Sequence, residues 1–186
     1  MAEAALDIGF MSVEEYLARE NDGDWKHEFV NGAVYAMVGT SDRHNLIAGE
    51  LYAALLAHLP PRCQPFVIDL KVQIRRGRDV RFYYPDVFVS CGASDRATYT
   101  REDPVLVAEV LSPSTDRIDR GEKFEAYKAI PSLEEYLLIA QDQPKVELFR
   151  RRTGFEHESF GPADLVHLES VELALPVAAL YRRITF

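Results

Sequence analysis

The chain has 186 residues, 47% of them hydrophobic and 27% charged, which is the profile of a soluble globular domain and excludes a disordered tail. Its net charge of −9, from 21 basic and 30 acidic residues, excludes a protein whose main business is coating nucleic acid, because nonspecific affinity comes from neutralising phosphates. No apolar run approaches the roughly 20 residues of a membrane span, and the start MAEAALDIGFM lacks the basic residue of a secretory signal, so a cytoplasmic protein is expected.

One domain is expected over 1–186, with residues 1–11 as a flexible tail. Ser12 and Glu15 have capping-box spacing, which predicts a helix of about three turns opening at Ser12 and covering a sheet edge. Asn31-Gly32 between Lys26–Val30 and Ala33–Val38 predicts a hairpin. Leu46, Ile47, Leu51, Leu55 and Leu59 recur at helical spacing until Pro60-Pro61 stops them, which marks the principal helix over 41–59. Cys63 and Cys91 are too few for a disulfide framework and show no metal-site spacing, so they read as small apolar residues in a reducing compartment. Phe66, Ile68, Leu70, Val72 and Ile74 alternate with polar positions as one half-buried strand, closed by a turn at Gly77. Any nucleic-acid site must be local, and the basic residues from Lys71 to Arg81 fit either such a site or, equally well, a solvated hairpin tip. The runs 80–90 and 105–111 are nearly continuous in apolar residues, as in strands inside a sheet. A helix over 119–130 ends at Pro131, and strands follow near 136–140, 145–150 and 155–160. Arg150, Arg151 and Arg152 read as edge protection. Beyond Leu165 the pattern is mixed. The sum is a mixed α/β domain, a curved sheet flanked by helices.

Two carboxylates interrupt the apolar strands. Glu109 stands in Pro-Val-Leu-Val-Ala-Glu-Val-Leu and Asp86 in Tyr-Tyr-Pro-Asp-Val-Phe-Val, and each must be compensated if buried. Pro85 cannot donate to a ladder, so its strand lies at an edge or carries a bulge that re-aims a side chain. Two such acids on neighbouring strands point to a shared cation. Mg²⁺, with carboxylates, waters and phosphate oxygens as ligands, fits better than zinc; the alternative is that each acid pairs with an arginine or lysine. Asp119, Lys123 and Tyr127 line one helix face. Either Asp119 and Lys123 form a plain ion pair, or Lys123 reaches the metal site to orient water or stabilise a phosphate.

Taken in order, Tyr84-Pro-Asp86-Val, Val107-Ala-Glu-Val-Leu-Ser-Pro-Ser-Thr115, Asp119-Arg-Gly-Glu-Lys123-Phe-Glu-Ala-Tyr127 and Pro131-Ser-Leu-Glu-Glu-Tyr136 resemble the Uma-type family of bacterial putative restriction endonucleases, within the PD-(D/E)XK nuclease superfamily. His27-Glu-Phe-Val-Asn-Gly32 and Ser41-Asp-Arg-His44-Asn extend the resemblance upstream. It implies a restriction-endonuclease-like fold, with Asp86 and Glu109 as the metal-binding acids and Glu28 completing the shell for Mg²⁺ or Mn²⁺. Where the motif has lysine, two residues after Glu109, this chain has Leu111, and Lys123 is the candidate replacement. His44 matches a family position at the start of the principal helix and joins the catalytic candidates; a helix N-terminus attractive to phosphate, a surface histidine and a capping contact are its readings. Asp69-Leu70-Lys71 also spells D-x-K, but it precedes the Pro-Asp element on the polar face of its strand and reads as a decoy.

Two functions compete. The first is an Mg²⁺-dependent nuclease acting on DNA, expected by resemblance to work as a homodimer. The second is a nuclease-fold interaction module without activity, favoured by the missing motif lysine and the acidic charge. Hydrolysis of a smaller phosphoester is a weaker third.

Overall fold

The computed structural model describes residues 10–23, 26–37, 39–92 and 98–186. Most of the expected N-terminal tail, residues 1–9, lies outside these, while Met11 is buried and donates its N–H to Gly32 O at 3.0 Å. Ser12 opens helix α1 (Val13–Asp22) with the expected capping box. The helix covers a sheet face and not an edge: the Tyr16 ring packs, tilted, with its centroid 5.0 and 5.3 Å from those of Phe29 and Phe82. Strands β1 (His27–Val30) and β2 (Ala33–Ala36) form the expected hairpin, with Asn31 at φ 49° and Gly32 at φ 96°, the left-handed pair that a two-residue turn requires. Helix α2 spans Asp42–His58.

The chain then runs through β3 (Gln64–Val67), β4 (Lys71–Arg76), β5 (Asp79–Tyr83), β6 (Val87–Ser90), β7 (Thr100–Arg101) and β8 (Pro104–Leu111). Next come α3 (Asp116–Ile118), a π-helical turn (Asp119–Lys123) and α4 (Phe124–Lys128). Strands β9 (Glu135–Ala140), β10 (Val146–Arg150), β11 (His157–Phe160), β12 (Leu165–Leu168) and β13 (Leu173–Pro176) follow, and α5 (Val177–Leu180) ends the order. One sheet has the order β2-β1-β5-β4-β7 and a six-stranded sheet the order β11-β10-β9-β8-β6-β3, with β12 and β13 paired apart. The six-stranded sheet is mixed, since β8 and β9 run parallel across the α3–α4 crossover.

The two strands read from sequence as continuous over 66–74 and 80–90 are each broken. Ile68 and Asp69 adopt φ 47° and 75°, and Tyr84-Pro85-Asp86 leaves the ladder. The breaks lie side by side, with Ile68 N donating to Asp86 O at 3.3 Å. One long hairpin therefore serves two sheets: β4 and β5 pair in one, β3 and β6 in the other. Pro85 marks a change of sheet, not an edge or a bulge. The apolar alternation runs unbroken through Ile68, which is why periodicity alone misses the bend.

In β8, successive side chains face opposite ways. Leu106, Ala108 and Val110 pack with Ile47, Leu51 and Leu55 of α2, while Val107 and Leu111 pack with Tyr127, Ile130 and Leu133 on the other side. Arg120 of the π turn forks onto Glu147 of β10 at 2.7 and 3.0 Å, which with Lys145 holds that carboxyl down to about 2. This ties the crossover helix to the sheet.

Two sequence readings change here. Arg150 is buried and bonds Glu135, Glu158 and His167 O, while Arg151 donates to Ile130 O and Leu133 O. These arginines fasten loops inside the protein and do not guard an edge. Cys63 and Cys91 are not free apolar residues but a disulfide. They sit one step beyond the Gln64↔Ser90 pair, so the bridge locks edge strand β3 to β6. By loop-closure entropy for a sequence separation of 28, reduction or Cys63→Ser should cost up to about 3.5 kcal/mol. Chemical melts with and without reductant check this; identical melts of a protein shown to be oxidised would refute it.

Candidate functional site

Asp86 owes its position to the change of sheet. The last β6–β8 pair at this end is Val87↔Ala108, so beyond it β8 has backbone groups with no strand opposite. Asp86 fills the gap: its Oδ2 accepts Val110 N at 2.7 Å, and its own N–H faces Glu109 Oε2 at 3.4 Å. The carboxylate thereby replaces a missing ladder partner beside Glu109 on the neighbouring strand.

Glu109 projects to the α4 side and is 2% exposed. Its Oε1 accepts from Tyr127 OH at 3.1 Å and lies 3.4 Å from Lys123 Nζ. Lys123, 7% exposed, also reaches Glu28 Oε1 at 2.9 Å and Asp119 Oδ1 at 3.6 Å. Glu28 arrives from β1 of the other sheet and accepts Tyr84 N at 3.3 Å. Asp119 and Lys123 both lie in the π turn, a helical widening often found at functional sites. Glu28, Asp86, Glu109 and Lys123 thus come together from four separate segments. They line one cavity of about 270 Å³ with His44 and Asp119.

Burial raises the Glu109 carboxyl well above the usual range; Lys123 opposes this, and Asp119, Asp86 and Glu28 add to it. Asp119 is raised for the same leading reason. For Lys123, burial pulls the pKa down, but Glu109, Glu28 and Asp119 outweigh it and hold the ammonium well above its ordinary value. Burial first, and the neighbouring carboxylates second, therefore favour the protonated forms of Glu109 and Asp119.

His44 also reaches the cluster, with Nε2 2.8 Å from Asp86 Oδ1. Two members escaped the sequence reading. Helical spacing puts Tyr127 on the right face but gives it no task, and in the structure it donates to Glu109. Asp119, which in the plain reading only pairs with Lys123, is 2% exposed and lines the cavity as well. Their four-residue spacing from Lys123 was the available signal. Asp69 and Lys71 stay outside the cavity. Asp69 is exposed and pairs with Lys26, but Lys71 is not on a polar face: it is buried, 3.3 Å from Tyr84 OH. A second buried polar cluster had no sequence signal. Glu20 accepts from Tyr84 OH at 2.7 Å and His27 N at 2.8 Å.

The donors suit a hard divalent cation. The cavity offers carboxylate oxygens, and the imidazole nitrogen nearest them is turned to Asp86. Among the described residues no three or more His, Cys, Asp or Glu stand together as a ready-made metal cage.

An uncharacterized protein of Synechocystis sp. is 36% identical over 180 residues, covering 95% of this chain and 94% of its own. A second from the same organism is 34% identical over 145 residues, 76% of this chain and 81% of its own. The crystal structure of a "putative nuclease belonging to DUF820" from Anabaena variabilis superposes with a TM-score of 0.70 at 19% identity, covering 92% of this chain and 98% of that one, which shows that the two share a fold. Among the described residues no helix is long and apolar enough to cross a membrane. Residues 13–179 match the Uma2 family, described as "Putative restriction endonuclease", and with nine-tenths of its length inside that match the chain belongs to this family.

Proposed function

We propose that the protein is a divalent-metal-dependent endonuclease that hydrolyses DNA phosphodiester bonds in the cavity between Asp86 and Lys123. The observation that carries this reading is the convergence of Glu28, Asp86, Glu109 and Lys123 from four segments on one acidic cavity. Asp86 and Glu109 would hold Mg²⁺ or Mn²⁺, with Glu28 completing the shell. Bound there, the ion supplies Lewis-acid stabilisation of charge developing on a phosphate. Lys123 keeps its proton and donates from Nζ to the attacking water or a phosphoryl oxygen. Leu111 faces the same side of β8 as Glu109 but packs in the apolar cluster, so the ammonium comes from the helix and not from the strand. Cutting both strands of a duplex requires two such sites, so the reading includes a homodimer, which light scattering can check.

Leu111 in the motif-lysine position also favours a second reading, an inactive module that binds DNA or another partner. Incubating plasmid and oligonucleotide DNA with the protein in Mg²⁺, Mn²⁺ or chelator separates the two. The expected result is metal-dependent cleavage that Asp86→Asn reduces by about 100- to 1,000-fold. No cleavage with either metal by a folded protein would leave the binding module standing.

A further inference from the structure

His44 is the member of the cavity without an assigned task. It sits in the first turn of α2, where Ser41 Oγ accepts its N–H at 3.1 Å and donates to Gln141 Oε1 at 2.6 Å. Behind it, Ile47, Ala48 and Leu51 are buried in the core, so the backbone carrying the ring is fixed. The ring is 7% exposed. Nε2 faces Asp86 Oδ1 at 2.8 Å, so this nitrogen carries the hydrogen and donates to the carboxylate. Nδ1 is buried, with no hydrogen-bond partner among the described residues. One nitrogen is thus engaged on Asp86 and the other is buried, an arrangement that suits holding a neighbour in place.

Asp86 then has one donor on each oxygen, His44 on Oδ1 and Val110 N on Oδ2 at 2.7 Å. Two donors on opposite oxygens fix the carboxylate plane and leave the remaining lone pairs of both oxygens for a ligand. We propose that His44 is a positioning residue that locks the Asp86 carboxylate for cation binding, and not a catalytic acid or base. The proposal rests on the metal-site reading above, and it also replaces the expectation that His44 is catalytic or that it binds phosphate. Hydrogen-bond partners of metal-binding groups typically matter by 10- to 100-fold in affinity.

The test is Mn²⁺ affinity, measured by calorimetry or electron paramagnetic resonance on the full chain. His44→Leu should weaken binding by about 10- to 100-fold. His44→Gln, whose amide can reach the Nε2 position, should recover most of that loss. His44→Asn, polar but too short, should bind as weakly as His44→Leu and stands in for it if the leucine variant fails to fold. Melts in chelator confirm that each variant is folded. Wild-type affinity in His44→Leu or His44→Asn overturns the proposal, as does a folded His44→Gln no better than either. A wild-type protein that binds no Mn²⁺ overturns the metal-site reading itself, which is a different result from wild-type binding that His44 does not affect.

Discussion

Glu109→Gln should stay folded in chelator, with stability equal to or above wild type, while losing Mn²⁺ binding and at least about 100-fold in cleavage. The sign follows from the neighbours. Removing one partner of a buried ion pair usually strands the other charge and costs about 3 to 5 kcal/mol. Here Lys123 keeps Glu28 at 2.9 Å and Asp119 at 3.6 Å, so nothing is stranded. What disappears is repulsion from Asp119, Asp86 and Glu28, and the cost of burying a charge. A glutamine amide can still accept from Tyr127 OH. The pH dependence gives a second check. A carboxyl raised in the folded state contributes most below its unfolded pKa of about 4.3, and that contribution is lost as pH rises through the folded value. The variant has no such loss, so in chelator its advantage should grow between about pH 4 and pH 8. Thermal melts across that range, beside a Mn²⁺ titration, decide the matter. A large loss of stability in chelator would mean that Glu109 serves as an internal counter-ion and not as a cation ligand.

How much of this arrangement was legible in the sequence depends on the range of the interaction. Ser12 with Glu15, and Asn31 with Gly32, announce a cap and a turn because both are settled within four residues. The apolar runs around Val87 and Val107 give central strands because the segments are uniform. The bend at Ile68–Asp69 was hidden, because alternation continues through it and the cause is a neighbouring break at Pro85, which lies far along the chain. The disulfide was missed for a related reason: the register of β3 on β6 brings the two cysteines together, and spacing does not encode it. Arg150 looks like any basic strand end until Glu135 and Glu158 are seen beside it.

The candidate site was legible in a different way. Asp86 and Glu109 stood out as anomalies, acids in apolar segments, and a buried acid demands an explanation. Lys123 and Tyr127 could be placed on one face by helical spacing. Glu28 came from resemblance alone, since a glutamate in a short half-buried strand is unremarkable chemically. Glu20 and Lys71 left no trace, because a glutamate late in a polar helix and a lysine in an alternating strand are ordinary. The burial of both follows from Tyr84, whose hydroxyl touches each.

Lys123→Met should be the most destabilising single change in the cavity, by about 3 to 5 kcal/mol at pH 8 in chelator. The ammonium faces Glu28, Glu109 and Asp119 and sits 5.5 Å from the Tyr83 ring centroid. Methionine keeps much of the volume but leaves three carboxylates facing one another without a cation. Because these neighbours raise the Lys123 pKa, its contribution is fully present below the unfolded value of about 10.4 and is lost only as pH rises through the folded value. The whole cost of the variant is therefore felt at pH 8. At pH 5 it should shrink, because Glu109 and Asp119, both raised by burial, take up protons and stop repelling. If the carboxylates form a cation site, Mg²⁺ should restore stability at pH 8 by occupying the position that the ammonium vacates, in proportion to its binding. Cleavage should not return with it, since the proton at Nζ is gone. Urea melts at pH 5 and pH 8, each with and without Mg²⁺, give the four stabilities needed. A cost equal at both pH values and untouched by Mg²⁺ would reduce Lys123 to a packing role and remove it from the proposed chemistry.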